Sequence, residues 1–204
     1  MNTTDGIVII GLTGQSGAGK STASEMLSKR GFTFINCDDT AYRAASIPEF
    51  LSEVTEHFPL CVENGQLKRR ELASIVFNDQ KLLKLYNSLI FPYITAELFS
   101  EIRRLKSEGE KLVILDAPTL FESGLQDLCD AVISVIAPLD VKIRRILGRD
   151  GIPVELVTSR ISSQHDEDFF KSRSDWVIIN DGGIEVLNDR VERLSVEIRE
   201  RFNV

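Results

Sequence analysis

The chain of 204 residues carries 31 acidic and 24 basic side chains, a formal charge of -7 with both histidines neutral. Its 43% hydrophobic and 27% charged residues are an ordinary globular balance, which excludes a disordered or fibrous polymer, and the acidic excess argues against broad electrostatic binding of nucleic acid. Cys37, Cys61 and Cys129 are too few and too scattered for a secreted disulfide framework or a four-ligand zinc site, and no apolar run reaches the length of a membrane span.

Residues 1–5 lack the basic start of a signal peptide, so the expectation is a cytoplasmic protein of one or two domains, monomeric or weakly homo-oligomeric. Residues 7–12, Ile-Val-Ile-Ile-Gly-Leu, are continuously apolar and β-branched, the pattern of a central parallel strand covered on both faces. A glycine-rich turn follows, then a helical pattern over 19–29 with Ala23, Met26 and Leu27 on one face and Gly31 as its stop. Residues 32–35 read as a second strand, which completes a βαβ unit. Between there and Lys111 no further core strand is evident; Phe50, Leu51, Val54 and the apolar residues from Leu82 to Ile90 predict a helical insertion. Strand signals return at 111–115, 131–136 and 176–179, separated by enough chain for crossover helices. Residues 141–172 hold Arg144, Arg145, Arg149, Arg160 and Lys171, which fits either a lid or a basic helix pair on the surface. Ile184, Leu187, Val191, Leu194 and Ile198 predict a closing amphipathic helix.

The glycine-rich turn is the chemical signal. Gly14-Gln15-Ser16-Gly17-Ala18-Gly19-Lys20-Ser21 matches the phosphate-loop pattern in full, after a predicted strand and at the head of a predicted helix. Such a loop turns backbone N–H groups and a helix N-terminus toward phosphate oxygens. Lys20 is expected to reach the β and γ phosphates, Ser21 to hold Mg²⁺ and Thr22 to assist through its backbone. The loop alone serves kinases, GTP switches and motors; no guanine-reading Asn-Lys-x-Asp segment is present, and the chain is short for a motor.

Asp38 and Asp39 follow the second strand, where a carboxylate can orient or deprotonate a hydroxyl, hold water on Mg²⁺, or be an ordinary loop acid. Asp116 ends the third strand after a Walker-B-like apolar run and is either an outer Mg²⁺ ligand or a cap. His57 and His165 read as surface or packing residues, and Cys37 as a buried thiol at a strand end.

Taken together, these segments resemble the dephospho-coenzyme A kinases over nearly the whole chain. Residues 10–22, then Ile35-Asn36-Cys37-Asp38, are similar to the family's opening and its Ile-Asp-Ala-Asp segment, which implies that Asp38 is the catalytic base. Gly65-Gln66-Leu67-Lys68-Arg69 resembles the motif that puts Arg69 beside the acceptor, and Pro118, Leu120, Phe121 and Glu122 match a segment lining the acceptor site. The stretch from Arg145 to Asp150, with Arg160 and Gln164, resembles the lid, with Arg149 as its phosphate-contacting arginine; the strand ending at Asn180 resembles the one bordering adenine. The chain departs from the family at Asn36 (for an acid), Tyr42 (for an arginine), Phe91 (for a histidine) and Thr119 (for a leucine).

The resemblance implies a P-loop three-layer α/β/α core with a parallel sheet, a helical substrate-binding insertion and a small lid. Residues 1–39, 109–140 and 174–204 would form the core, 40–108 the insertion and 141–173 the lid. It implies ATP and Mg²⁺ as cofactors and phosphorylation of the ribose 3′-hydroxyl of dephospho-CoA. Another small-molecule P-loop kinase, acting on nucleosides or nucleotides, and a non-catalytic ATP-binding regulator are the competing readings.

Overall fold

The computed structural model describes residues 6–204; residues 1–5, the segment without a basic signal-peptide start, lie outside them. The chain forms two compact units, one from the residues up to Ile35 with Gly109–Val204, the other Asn36–Glu108. Among the described residues no helix is long and apolar enough to cross a membrane.

The first unit is built on a five-stranded sheet. Its strands are β1 (Val8–Gly14), β2 (Thr33–Asn36), β5 (Leu112–Asp116), β6 (Ala131–Ile136) and β7 (Trp176–Ile179), in the order β2-β5-β1-β6-β7. β1 runs parallel to both β5 and β6, and β6 parallel to β7. The register pairs Ile10 with Ile114 and Ala131, and Leu12 with Asp116 and Ile133. Side chains alternate across the pleat, so Ile10, Leu12, Leu112, Ile114, Ile133 and Val135 share one face. That face is buried against α1 (Lys20–Ser28) and α9 (Ile184–Phe202), through Ala23, Leu27, Leu187, Val191, Leu194 and Ile198. Burying each such leucine or isoleucine is worth about 1.5–3 kcal/mol. The opposite residues, Ile9, Val113, Leu115, Val132 and Ile136, are buried as well, which is why these strands read as unbroken apolar runs rather than alternating ones.

Three further helices follow β6: α6 (Leu139–Asp150), α7 (Val154–Ser162) and α8 (Glu167–Arg173). Pro138 and Pro153 precede the first residues of α6 and α7, and Gly151, at φ 62°, closes α6 in the left-handed conformation that L side chains avoid. α8 packs on β6 and β7.

The second unit holds α2 (Cys37–Ala44), α3 (Pro48–His57), α4 (Arg69–Val76) and α5 (Gln80–Ser107), with a hairpin of β3 (Val62–Glu63) and β4 (Gln66–Leu67). Its core gathers Phe50, Val54, Phe58, Cys61, Leu72, Val76 and Ile90. Tyr86 and Tyr93 meet Phe50 edge to face, at ring separations of 6.2 and 5.5 Å. The hairpin was not expected, yet Asn64-Gly65, at φ 52° and 71°, is the two-residue turn pair that joins such strands. α5 is one 28-residue helix that runs through Pro92, capped at its start by the Asp79 carboxylate, which accepts from the Lys81 and Leu82 N–H groups at 2.7 and 3.3 Å.

Candidate active site

β1 ends at Gly14 and α1 begins at Lys20, so the loop predicted from sequence is the turn between them. Gly19, at φ 97°, caps α1 with no side-chain hydrogen bond, and a Cβ there would strike Asn180 Nδ2. Gly17, at φ 78°, lies so close to α6 that a Cβ would come within 2.9 Å of the Lys142 carbonyl and of Ile146. Glycine is required at both positions by conformation and by space. The uncapped first turn of α1 leaves backbone donors pointing outward, the arrangement that receives an anion.

Every predicted loop residue except Ala18 lines one cavity of ≈ 440 Å³, together with Pro118 and Arg149. Thr22, Lys20 and Ser21 stand on the α1 side of it. Ala18 is wholly buried; its N–H donates to the Gln15 carbonyl, and its own carbonyl accepts from Asn180 Nδ2 at 2.7 Å. Asn180 is buried and does not line the cavity: it braces the loop from behind and accepts from Arg145 Nη2 at 3.2 Å. The Gln15 and Ser16 N–H groups are occupied by the Val135 carbonyl (3.2 Å) and Gln164 Oε1 (2.8 Å).

The cations of the site are held by the protein's own acceptors. Lys20 Nζ is ion-paired with Asp116 Oδ1. Arg149 makes two hydrogen bonds to Asp150, at 2.6 and 2.9 Å, and Arg160 donates to the same carboxylate at 3.0 Å. These bonds hold the Asp150 carboxyl below the usual aspartate range, and the same contact raises the Arg149 guanidinium. Arg145, Arg160 and Gln164 line the cavity beside Arg149 but were given no separate role from sequence, where they stood only as part of a lid resemblance. No cluster of three or more metal-ligating His, Cys, Asp or Glu residues is found among the described residues. The donor set around Ser21, a hydroxyl beside a phosphate-receiving turn, fits Mg²⁺ held largely through phosphate and water oxygens.

The other predicted residues have these surroundings. Pro118 accepts from Thr13 Oγ1 at 3.2 Å through its carbonyl. Leu120 is 0% exposed, and a Cβ on Gly11 would come within 2.7 Å of its Cδ2, so it shapes the segment from beneath and presents no surface of its own. Phe121 packs edge-on against Phe169 at 5.3 Å, and Glu122 lies 3.9 Å from His165. In the helical unit, Asp38 and Asp39 are not loop acids: they form the first turn of α2, where the Asn36 side chain accepts from both their N–H groups at 2.9 and 3.1 Å. Cys37 is buried, directly after the last residue of β2 and first in this helix. Arg69 lies over the Tyr42 ring at 4.0 Å and donates to the Tyr42 carbonyl at 3.0 Å, in a second cavity of ≈ 330 Å³ that also involves Ser46 and Gln66.

A phosphate loop between the central strand and first helix of a parallel α/β sheet, facing a cluster of arginines from the helices after β6, defines the P-loop kinase class. The Dephospho-CoA kinase family model matches residues 8–185. A dephospho-CoA kinase of Thermus thermophilus is 35% identical over 191 residues, covering 94% of this chain and 92% of its own. Two solved structures are similar: a protein from Thermus thermophilus, with a TM-score of 0.81 and 34% identity over 94% of this chain and 98% of that one, and a dephospho-CoA kinase from Campylobacter jejuni, with 0.72 and 25% over 94% and 97%. The chain belongs to the dephospho-CoA kinase family.

Proposed function

We propose that the protein transfers the γ-phosphoryl group of ATP to the ribose 3′-hydroxyl of dephospho-CoA, giving coenzyme A and ADP. The observation that carries this reading is the cavity in which the phosphate loop, Lys20 and Ser21 face Arg145, Arg149 and Arg160, in a chain matched by the family over residues 8–185. Phosphoryl transfer asks little covalent chemistry of the protein and much positive charge and alignment. Lys20 and the uncapped turn of α1 would hold the β and γ phosphates, and Arg149 would exchange Asp150 for phosphate oxygens. Ser21, with Asp116 as an outer partner, would hold Mg²⁺, which would supply charge neutralisation across the polyphosphate.

On the acceptor side Asp38 would take the proton of the 3′-hydroxyl as that oxygen bonds to the γ-phosphorus, and the bond from phosphorus to the β-bridging oxygen breaks to release ADP. Arg69 and the 118–122 segment would hold the acceptor. Residues 40–108 would serve as the acceptor-binding insertion and 141–173 as the lid. An ADP-release assay with dephospho-CoA and a panel of nucleosides and nucleotides tests the reading. Selective turnover of dephospho-CoA to a product identical to coenzyme A by mass and chromatography is expected. Preferred turnover of a nucleoside or nucleotide, or ATP binding without any transfer, would overturn it.

A further inference from the structure

Lys142, on α6, is a cation that the phosphate-loop pattern does not contain. It is 3% exposed, and its Nζ donates to Gln15 Oε1 at 2.8 Å. No carboxylate pairs with it among the described residues. Burial lowers the lysine from its ordinary value, opposed only by the more distant charge of Glu167 on α8. Glu167 in turn accepts from Lys171 at 3.1 Å. Gln15 completes the link: its Nε2 donates to the His165 carbonyl at 3.1 Å, and the residue lines the cavity. The Lys142 carbonyl meanwhile lies directly under Gly17. One residue of α6 therefore supports the loop at two points, by side chain at Gln15 and by main chain at Gly17.

A buried ammonium whose partner is a neutral amide is expensive, since its water is replaced by one hydrogen bond and no opposite charge. A neutral side chain of similar length would fill the same space at less cost. The cost is recovered only if an anion arrives nearby, and the cavity that Gln15 lines is where a polyphosphate would sit. In so dry a setting the charge acts over a longer range than an exposed lysine could.

We propose that Lys142 is a positioning residue for the phosphate loop: its ammonium holds the Gln15 carboxamide and supplies a standing positive charge behind the loop that favours polyphosphate. The inference rests on the reading of this cavity as the ATP site. It assigns Lys142 to phosphate affinity rather than to the reacting atoms.

The test is calorimetric titration of the full chain with ATP, inorganic tripolyphosphate and adenosine, alongside steady-state kinetics, for wild type, Lys142→Met, Lys142→Gln and Lys142→Arg. Met and Gln variants should bind ATP and tripolyphosphate about tenfold more weakly, mid-range for coupling between hydrogen-bonded neighbours. Their adenosine affinity and their kcat at saturating ATP should stay within about twofold of wild type, and Lys142→Arg should recover most of the loss. Tripolyphosphate binding by Lys142→Gln at the wild-type level would overturn the proposal, as would a fall in kcat with ATP KM intact. Failure of Lys142→Gln to fold, although it keeps a hydrogen-bonding end in the same space, would also overturn it, because the residue would then be structural. If wild type binds neither ATP nor tripolyphosphate, the ATP reading itself fails, and that result is distinguishable from all of these.

Discussion

The ammonium of Lys20 is ion-paired with the carboxylate of Asp116, joining the head of α1 to the end of β5. The other carboxylate oxygen lies 3.0 Å from Ser24 Oγ, which is also 3.0 Å from the Lys20 carbonyl. The serine has one proton to give, so it serves one of these acceptors at a time. The register that sets Asp116 opposite Leu12, two residues before Gly14, delivers the carboxylate to the loop. On the proposed reading, Lys20 would pass from Asp116 to phosphate and so free Asp116 for a role beside Mg²⁺.

Asp116→Asn keeps the shape but withdraws the charge from both partners. The expected result is a fall in kcat of about 10–100-fold, as for loss of an outer-shell metal partner, with a raised Mg²⁺ requirement. Mg²⁺ titrations of activity check it, and an unchanged Mg²⁺ dependence would remove Asp116 from the metal.

Asp38→Asn leaves the start of α2 intact, because Asn36 is bonded to the Asp38 backbone N–H and not to its carboxylate. Turnover should fall by about 10²–10⁴, the range for a general base, while the ATP dissociation constant stays as in wild type. Single-turnover rates and ATP titration separate the two.

Asn36→Ala removes the N-cap of α2, whose side chain accepts two backbone N–H groups. A cost of about 0.5–2 kcal/mol is expected, and each kcal/mol lowers Tm by about 2–4 °C in a chain of this size. Thermal unfolding reads this directly, and Asn36→Asp, another good cap, should restore it.

Glu101 is held below the ordinary glutamate range chiefly by its hydrogen bond from Arg104, which donates at 2.8 Å on α5. A depressed carboxylate stabilises the fold above its unfolded pKa, and that contribution is lost as pH falls through the lower folded value. Arg104→Met should therefore be less stable than wild type by a constant amount at neutral pH, and that difference should shrink as pH falls from the ordinary glutamate range through the lower folded value, where wild type loses the contribution. Urea unfolding of both proteins from neutral pH to below the glutamate range measures the effect.

Much of this protein can be read without coordinates. The five sheet strands fall within about two residues of where their apolar runs place them, because a strand buried on both faces has a local signature. The Asn64-Gly65 hairpin has no periodic signature, because two-residue strands are too short to carry one, and only its turn pair is legible in the sequence. Asp38 and Asp39 looked like loop acids because the short α2 begins at once after β2, with Asn36 serving as the strand's last residue and the helix cap. Leu120 matched an acceptor segment as text, but its burial against Gly11 turns it into support.

The sequence by itself determined the phosphate loop, the parallel α/β class and the family, since each depends on residue types at fixed local spacing. Tertiary structure alone decided how the loop's surroundings are partnered: Lys20 on Asp116, Arg149 and Arg160 on Asp150, and Lys142 on Gln15. Gln15 and Lys142 are 127 residues apart in the chain. Nothing local to either predicts that they meet; only the packing of α6 beneath the loop brings them together.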